Sequence, residues 1–268
     1  MPSVRGAFMS ARSYGRVGRE EARVRDSRQA DPMTETGRVR VGVLAPMKSE
    51  LRAVVKAFAL EPGSVDGVPV HTGSVGRADV VATTTGMGTA LATRATERLL
   101  GLGDFDRVIV VGIAGGVGPT VGIGDVVIPE VVVDGITGAP YRPAPIDAPA
   151  PRGTIVTSDD FIIDPARLEG LIADGVIAVD METGSVAAAC AARGVPWSAV
   201  RAISDRAEEG DAEMPGLAHS DGTPNGSAIL KYFARHPGRI PYLLKVGRGS
   251  VLAAKNAATT AARACARL

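Results

Sequence analysis

One stretch constrains this chain more than any other. Residues 178–205 read AVDMETGSVAAACAARGVPWSAVRAISD. An apolar run ends at Asp180, and the pair Met181-Glu182 follows. A helix built on small residues is predicted over Thr183–Arg193, with Gly194 and Pro196 as its stop signal. A buried strand over Ser198–Ile203 then delivers Ser204 and Asp205 at its end. Strand, helix and strand so closely spaced point to an open α/β sheet, whose ligands gather at the carboxyl ends of strands. Glu182 and Asp205 both lie at such ends, so two acids are expected to face one cleft.

The rest of the chain is read as what fills and closes that cleft. RVRVGVLAP, from Arg38, reads as a buried strand, and Met47–Leu60 as an amphipathic helix. Glu50 falls in its first turn, where the helix dipole favours an anion and where most acids are simply solvated. Glu61–Gly76 reads as turn residues around one strand, VPVHTGSV. Asp79–Thr85 is a further strand, followed by Gly86-Met87-Gly88 and a helix over Thr89–Leu100. Arg107–Val111 is a strand entering the glycine-rich run Gly112-Ile113-Ala114-Gly115-Gly116. Free amides in such a run can hold ligand oxygens, but it has neither a dinucleotide fingerprint nor a Walker lysine. GIGDVVIPEVVVD reads as one long strand after a turn at Gly124-Asp125. Gly135–Arg152 is a loop over the cleft or a plain connection. A strand over Thr154–Thr157 and a helix over Asp164–Ala173 precede the organising stretch. An acidic, mobile segment over Arg206–Thr223 and two helices, Asn225–Arg235 and Tyr242–Ala266, follow it. Glycine loops with β returns predict a mixed sheet rather than a pure βαβ series.

Composition removes several function classes. Of 268 residues, 45% are hydrophobic and 22% charged, enough for one substantial core, and a net charge of +1 makes no case for nucleic-acid or membrane partners. Two cysteines, Cys190 and Cys265, are too few for a disulfide framework or a metal cluster. With neither a membrane-length apolar run nor a signal-peptide core, a cytoplasmic location is expected. Residues 1–37 are rich in Arg, Gly and Ser and have no apolar face, so they are expected to be a disordered extension of a domain over 38–268. Met33 is an alternative start that would remove residues 1–32.

Six stretches in order carry a resemblance: VGVLAPMKSEL, TTTGMGTALAT, VIVVGIAGGVGPTVGIGDVVIP, DDFI, AVDMETGSVA and VRAISD. Together they resemble the nucleoside phosphorylases and their hydrolytic relatives, most closely the bacterial methylthioadenosine/S-adenosylhomocysteine nucleosidases. The segment ARHPGRIPYLLKVGRGS is also similar to a branch described as hopanoid-associated phosphorylases. The resemblance implies a single α/β domain with a central mixed sheet flanked by helices, a homodimer, a small-molecule purine nucleoside as partner, and no metal or organic cofactor. It also implies roles. Asp205 would face N7 of the purine as the acid, with Ser204 and Arg201 helping to orient it. Phe161 would stack on the base and the backbone of Ile162 would read its edge. Met181 would pack on the ribose and Glu182 would bind its hydroxyls. Glu50 would hold the attacking water. Ile113, Ala114 and Gly115 would line the substrate site.

The residue types suit the chemistry. As an N-glycosidic bond breaks, the purine gains electron density and the ribose gains positive charge. An acid near N7 assists departure, and carboxylates near the sugar stabilise the cation. A second acid can deprotonate water. Phosphorylases of this group have a Gly-Asp-Pro-x-Arg type loop after the first strand and an arginine two residues before the central glycine. Here Ala45-Pro46-Met47-Lys48 and Val110 stand in those places, so charge-assisted phosphate donors are missing and water is the expected nucleophile. Phosphorolysis on the same scaffold and a catalytically silent nucleoside-binding protein remain the alternatives. Ile113 departs from the Ser or Thr common in relatives, and the shorter region after Asp134 leaves the 5′ substituent unassigned.

Overall fold

The computed structural model describes residues 37–160, 162, 164–209, 225–236, 238 and 240–268. The expectations for residues 1–36, Phe161 and 210–223 lie outside them.

Val-rich VRVGVLA forms β1 (Val39–Ala45), and α1 (Lys48–Phe58) follows after a two-residue turn. The helix stops where Ala59 adopts a left-handed conformation, φ 52°. Next comes a hairpin of β2 (Glu61–Val65) and β3 (Val68–Val75). Its Asp66-Gly67 turn has positive φ at both residues, the geometry that matches strand twist. The sequence reading found only β3. EPGSV carries almost no strand propensity, and β2 forms because β3 gives it a partner along its whole length. β4 (Ala78–Thr84) and α2 (Thr89–Leu100) complete the first half.

β5 (Arg107–Gly116) corrects the reading of a glycine loop. The strand runs unbroken through Gly112-Ile113-Ala114-Gly115-Gly116, because β11 (Trp197–Arg206) pairs with it in parallel from Val108 to Gly116. The long strand expected after Gly124 is instead two, β6 (Val126–Val127) and β7 (Val131–Asp134). Pro129 stands between them and has no N–H for a ladder. After β8 (Pro140–Tyr141) come β9 (Thr154–Thr157), α3 (Pro165–Ala173) and β10 (Val176–Asp180). Asp164 caps α3 rather than joining it, accepting from Arg167 N at 3.2 Å. The remaining helices are α4 (Thr183–Ala192), α5 (Gly226–Arg235) and α6 (Ile240–Cys265).

The sheet is mixed and has eleven strands among the described residues. Its order is β2-β3-β4-β1-β5-β10-β9-β7-β8, with β11 on β5 and β6 on β11. Alternate residues of β1 and β5 point to opposite faces. Leu44, Val108 and Val110 join the core under α2 and α4, while Val41, Val43, Ile109 and Val111 join the core under α1 and α6. No helix among the described residues is long and apolar enough to cross a membrane.

One irregularity locates the cleft. Along one edge of β5, pairing with β1 ends at Val110, opposite Leu44. Antiparallel pairing with β10 begins only at Gly115, opposite Val179. Between them the edge of β5 has no neighbouring strand, at the carboxyl end of β1. A gap of this kind in an open α/β sheet is where a ligand enters.

Candidate active site

Glu50 fills the gap. Its Oε1 accepts from Ile113 N at 2.7 Å, satisfying an amide that the sheet leaves without a strand partner. Its Oε2 accepts from Met47 N at 2.7 Å, closing the first turn of α1. An acid of a first helical turn is thereby drawn inside, and Glu50 is 2% exposed. Burial pushes its carboxyl up to about 7, against the pull of the Arg201 guanidinium and of the two amide donors.

Behind Glu50 sits a buried charge cluster. Arg201, on β11, is wholly buried. Its Nη2 pairs with Asp180 Oδ2 at 2.8 Å and with Glu182 Oε2 at 3.2 Å, and its Nε donates to Thr183 Oγ1 at 3.0 Å. Arg201 makes no hydrogen bond to Asp205 among those the described residues show, so the expected orienting of Asp205 is corrected: the guanidinium is held by Asp180 and Glu182. Its Nη1 is buried without a hydrogen-bond partner among the described residues. A Cβ placed on Gly112 would collide with both Glu50 Oε1 and Arg201 Nη1, so these two atoms face the same point over β5. One cation against Glu50, Asp180 and Glu182 cannot balance three ionised carboxylates. Burial accordingly raises the Glu182 carboxyl, Asp180 and Glu50 add like charge, and Arg201 opposes them.

Asp180 is the residue that sequence reasoning missed. It was read only as the end of a strand. Buried at the carboxyl end of β10, it accepts from Thr157 Oγ1 at 2.7 Å and from Thr183 N at 3.3 Å, and it is bonded to the Thr183 hydroxyl. It therefore holds Arg201 and the amino end of α4 together. The signal was an acid two residues before Glu182, on the same turn. Glu182 is fixed from the other side as well, its Oε1 accepting from Gly88 N at 3.1 Å. The small residues of α4 make the close approach possible: a Cβ on Gly184 would press on Thr157 at 3.1 Å.

The far end of the cleft is built differently. The pairing of β11 with β5 shifts register between Ile203 and Asp205, a bulge that changes the direction of the strand's last side chains. Asp205 is half-buried, and the Ser204 hydroxyl donates to its Oδ1. Burial raises the Asp205 carboxyl, the Ser204 hydrogen bond lowers it, and Glu209 raises it further. Ser204 Oγ also lies 3.3 Å from the Ala114 carbonyl. Ile162 is buried against Val117 and Leu168.

The cleft encloses about 190 Å³ and brings together most of the expected residues. Glu50, Ile113, Ala114, Gly115, Met181 and Glu182 line it with Ser204, Asp205 and Ile162. Arg201 stands behind the lining. Phe161 lies outside the described residues. Among the described residues no lysine or arginine lines the cleft, and Val110 is fully buried in the core.

Residues 40–235 match the Phosphorylase superfamily. A 5′-methylthioadenosine/S-adenosylhomocysteine nucleosidase of Marinomonas sp. (strain MWYL1) is 32% identical over 197 residues, which are 62% of this chain and 85% of the relative. One from Shewanella sp. (strain W3-18-1) is 29% identical over 201 residues, 63% of this chain and 87% of the relative. In fold, the chain is similar to the S-adenosylhomocysteine nucleosidase of Streptococcus pyogenes, with a TM-score of 0.66 at 20% identity over 87% of this chain and 98% of that one. The sheet gap, the acids gathered in it and these similarities lead to one assignment: the chain belongs to the phosphorylase superfamily.

Proposed function

We propose that this protein is an adenine nucleosidase. It hydrolyses the N-glycosidic bond of a 5′-substituted adenosine such as methylthioadenosine or S-adenosylhomocysteine, the substrates named for its relatives. The observation that carries the reading is the placement of Glu50 and Asp205. Two acids, each with its proton affinity raised by burial, line one cleft from two different strand ends.

Asp205 donates toward N7 as the base departs, and Glu182 and Met181 hold the ribose between them. Glu50 takes the proton of the attacking water. The bond from C1′ to the purine breaks, the water oxygen bonds to C1′, and the products are adenine and the free ribose sugar that still carries the 5′ substituent. Phe161 is assigned to stacking on the base and the backbone of Ile162 to reading its edge. Water is favoured over phosphate because, among the described residues, the cleft lining holds no cation to receive an anion.

The reading extends to residues 38–268 as the catalytic unit, residues 1–37 as an extension, and a homodimer in the cytoplasm. Cys190 and Cys265 are both free, as a reducing compartment would keep them. The test is adenine release from a panel of 5′-substituted adenosines, with and without phosphate. Release without phosphate, leaving free ribose sugar, is expected. Ribose 1-phosphate, formed at a rate that rises with phosphate, overturns the hydrolytic reading. Sedimentation tests the dimer.

A further inference from the structure

Glu50 and Ile113 form a wall with two sides. One faces the cleft. The other faces a second cavity of about 540 Å³ between α1 and α6, and these two residues alone line both. The two sides differ in charge. Among the described residues, five acids and no cation line the cleft. The second cavity is lined by Arg52 and Lys56, one turn apart on α1, and by Lys255 on α6, with the hydroxyls of Ser49 and Thr259 among them, while the Ser250 hydroxyl beside them donates to the Val246 carbonyl. None of the three cations has an ion pair among the described residues. Among the described residues, Glu50 is the only carboxylate lining this cavity, and both its oxygens are committed to backbone amides. Three like charges thus share one concavity without an ion-pair partner among the described residues, beside hydroxyl donors. That is the donor set a doubly charged tetrahedral oxyanion satisfies.

We infer that the cavity between α1 and α6 binds a phosphate-type oxyanion, and that its occupancy slows the reaction by holding the proton on Glu50. The second half rests on the role of Glu50 as base in the proposed function. Glu50 faces Arg201 on β11, Asp180 on β10 and Glu182 at the start of α4 on one side, and Arg52, Lys56 and Lys255 on the other. A bound anion cancels positive potential on the second side only. A negative charge nearby favours the protonated carboxyl, so fewer molecules carry an ionised base. The anion is free phosphate or the headgroup of a phospholipid, since Val251 at the edge of the cavity is 73% exposed.

The test uses the full chain and two double variants, Lys56→Glu with Lys255→Glu and the milder Lys56→Gln with Lys255→Gln. These side chains are exposed and take no part in the cleft. Calorimetric titration with inorganic phosphate reads the free source. Flotation with phosphatidylglycerol vesicles, against phosphatidylcholine vesicles, reads the lipid source. Binding in either arm is expected, weakened on the order of tenfold or more by the Glu pair and less by the Gln pair. The bound anion should lower the hydrolysis rate of the unsubstituted chain on the acid side of its pH profile and leave that of the Glu pair unchanged. Absence of binding in both arms overturns the inference, as does binding that neither variant weakens. Binding without any change in rate overturns its second half. Ribose 1-phosphate formation counts against the hydrolytic reading, whereas the variants' binding decides the cavity.

Discussion

The two ends of the cleft each hold a carboxyl group whose proton affinity is raised by burial, in opposite ways. At the Glu50 end the acid is sealed in. Two amides grip it, and a wholly buried arginine and two more acids stand behind it. At the Asp205 end the acid is half-buried, held by its neighbour Ser204, and placed by a bulge rather than a network. The sealed end fixes geometry at the expense of desolvating several charges, which is tolerable only while every one of them keeps a partner. The open end leaves room for the ligand itself to complete the environment of the acid. In the proposed function, that division corresponds to a rigid water site and an adaptable base site.

Glu50→Gln is the largest test of the sealed end. Gln keeps the shape and accepts the Ile113 amide, but it cannot take a proton from water. Turnover should fall ~10²–10⁴-fold with ligand affinity retained. Single-turnover rates beside equilibrium binding measure both, and near-normal turnover would return Glu50 to a purely structural part in closing the sheet.

Asp205→Asn tests the open end. It should fold normally, still bind adenine nucleosides, and lose on the order of 10²-fold in turnover. A substrate with a better leaving base should lose less, because it depends less on protonation at N7. Equal losses on both substrates would remove the general-acid role.

The contrast also has a pH signature. The Glu50 carboxyl lies at about 7 in the folded chain against an ordinary 4.5. Between those values the folded state keeps a proton that the unfolded state has lost. Stability therefore falls as pH rises through that window, and the Glu50 contribution is fully present only below it. Activity that needs ionised Glu50 rises over the same window. Thermal melting and hydrolysis rate, followed together against pH, should move in opposite directions. A melting temperature that climbs across the window would contradict the sealed acid.

The smallest effect is expected far from either end. Removing residues 1–32 should leave rate and melting temperature nearly unchanged, because the segment offers no apolar face to bury. A large loss of either would make the extension part of the site.

Much of this was legible in the sequence, and the rest was not for identifiable reasons. Helix α2 and strand β9 fall on their predicted residues because their periodicity and punctuation are local. The acids Glu50, Glu182 and Asp205 could be singled out from strand ends and resemblance. β2 could not, since only a neighbouring strand makes EPGSV extended. Nor could the strand character of GIAGG, which depends on β11, more than eighty positions away. Asp180 escaped because its importance lies in whom it touches: its bonds reach Thr157 and Arg201, on other elements. Arg201 was expected to serve Asp205, four residues along the same strand, but the bulge after Ile203 separates them.

Gly112 gives the sealed end its most exacting requirement. The acceptor and the donor that face each other there occupy the space that any other residue would fill with its first carbon. At Gly112, strand β5 leaves a space the size of one methyl group, into which two side chains from distant parts of the chain have been drawn. An alanine at this position would need no change in charge, hydrogen-bonding capacity or fold class to separate Glu50 from the Arg201 guanidinium. The tolerance of the site to substitution is accordingly set by backbone volume, at a residue that carries no functional group at all.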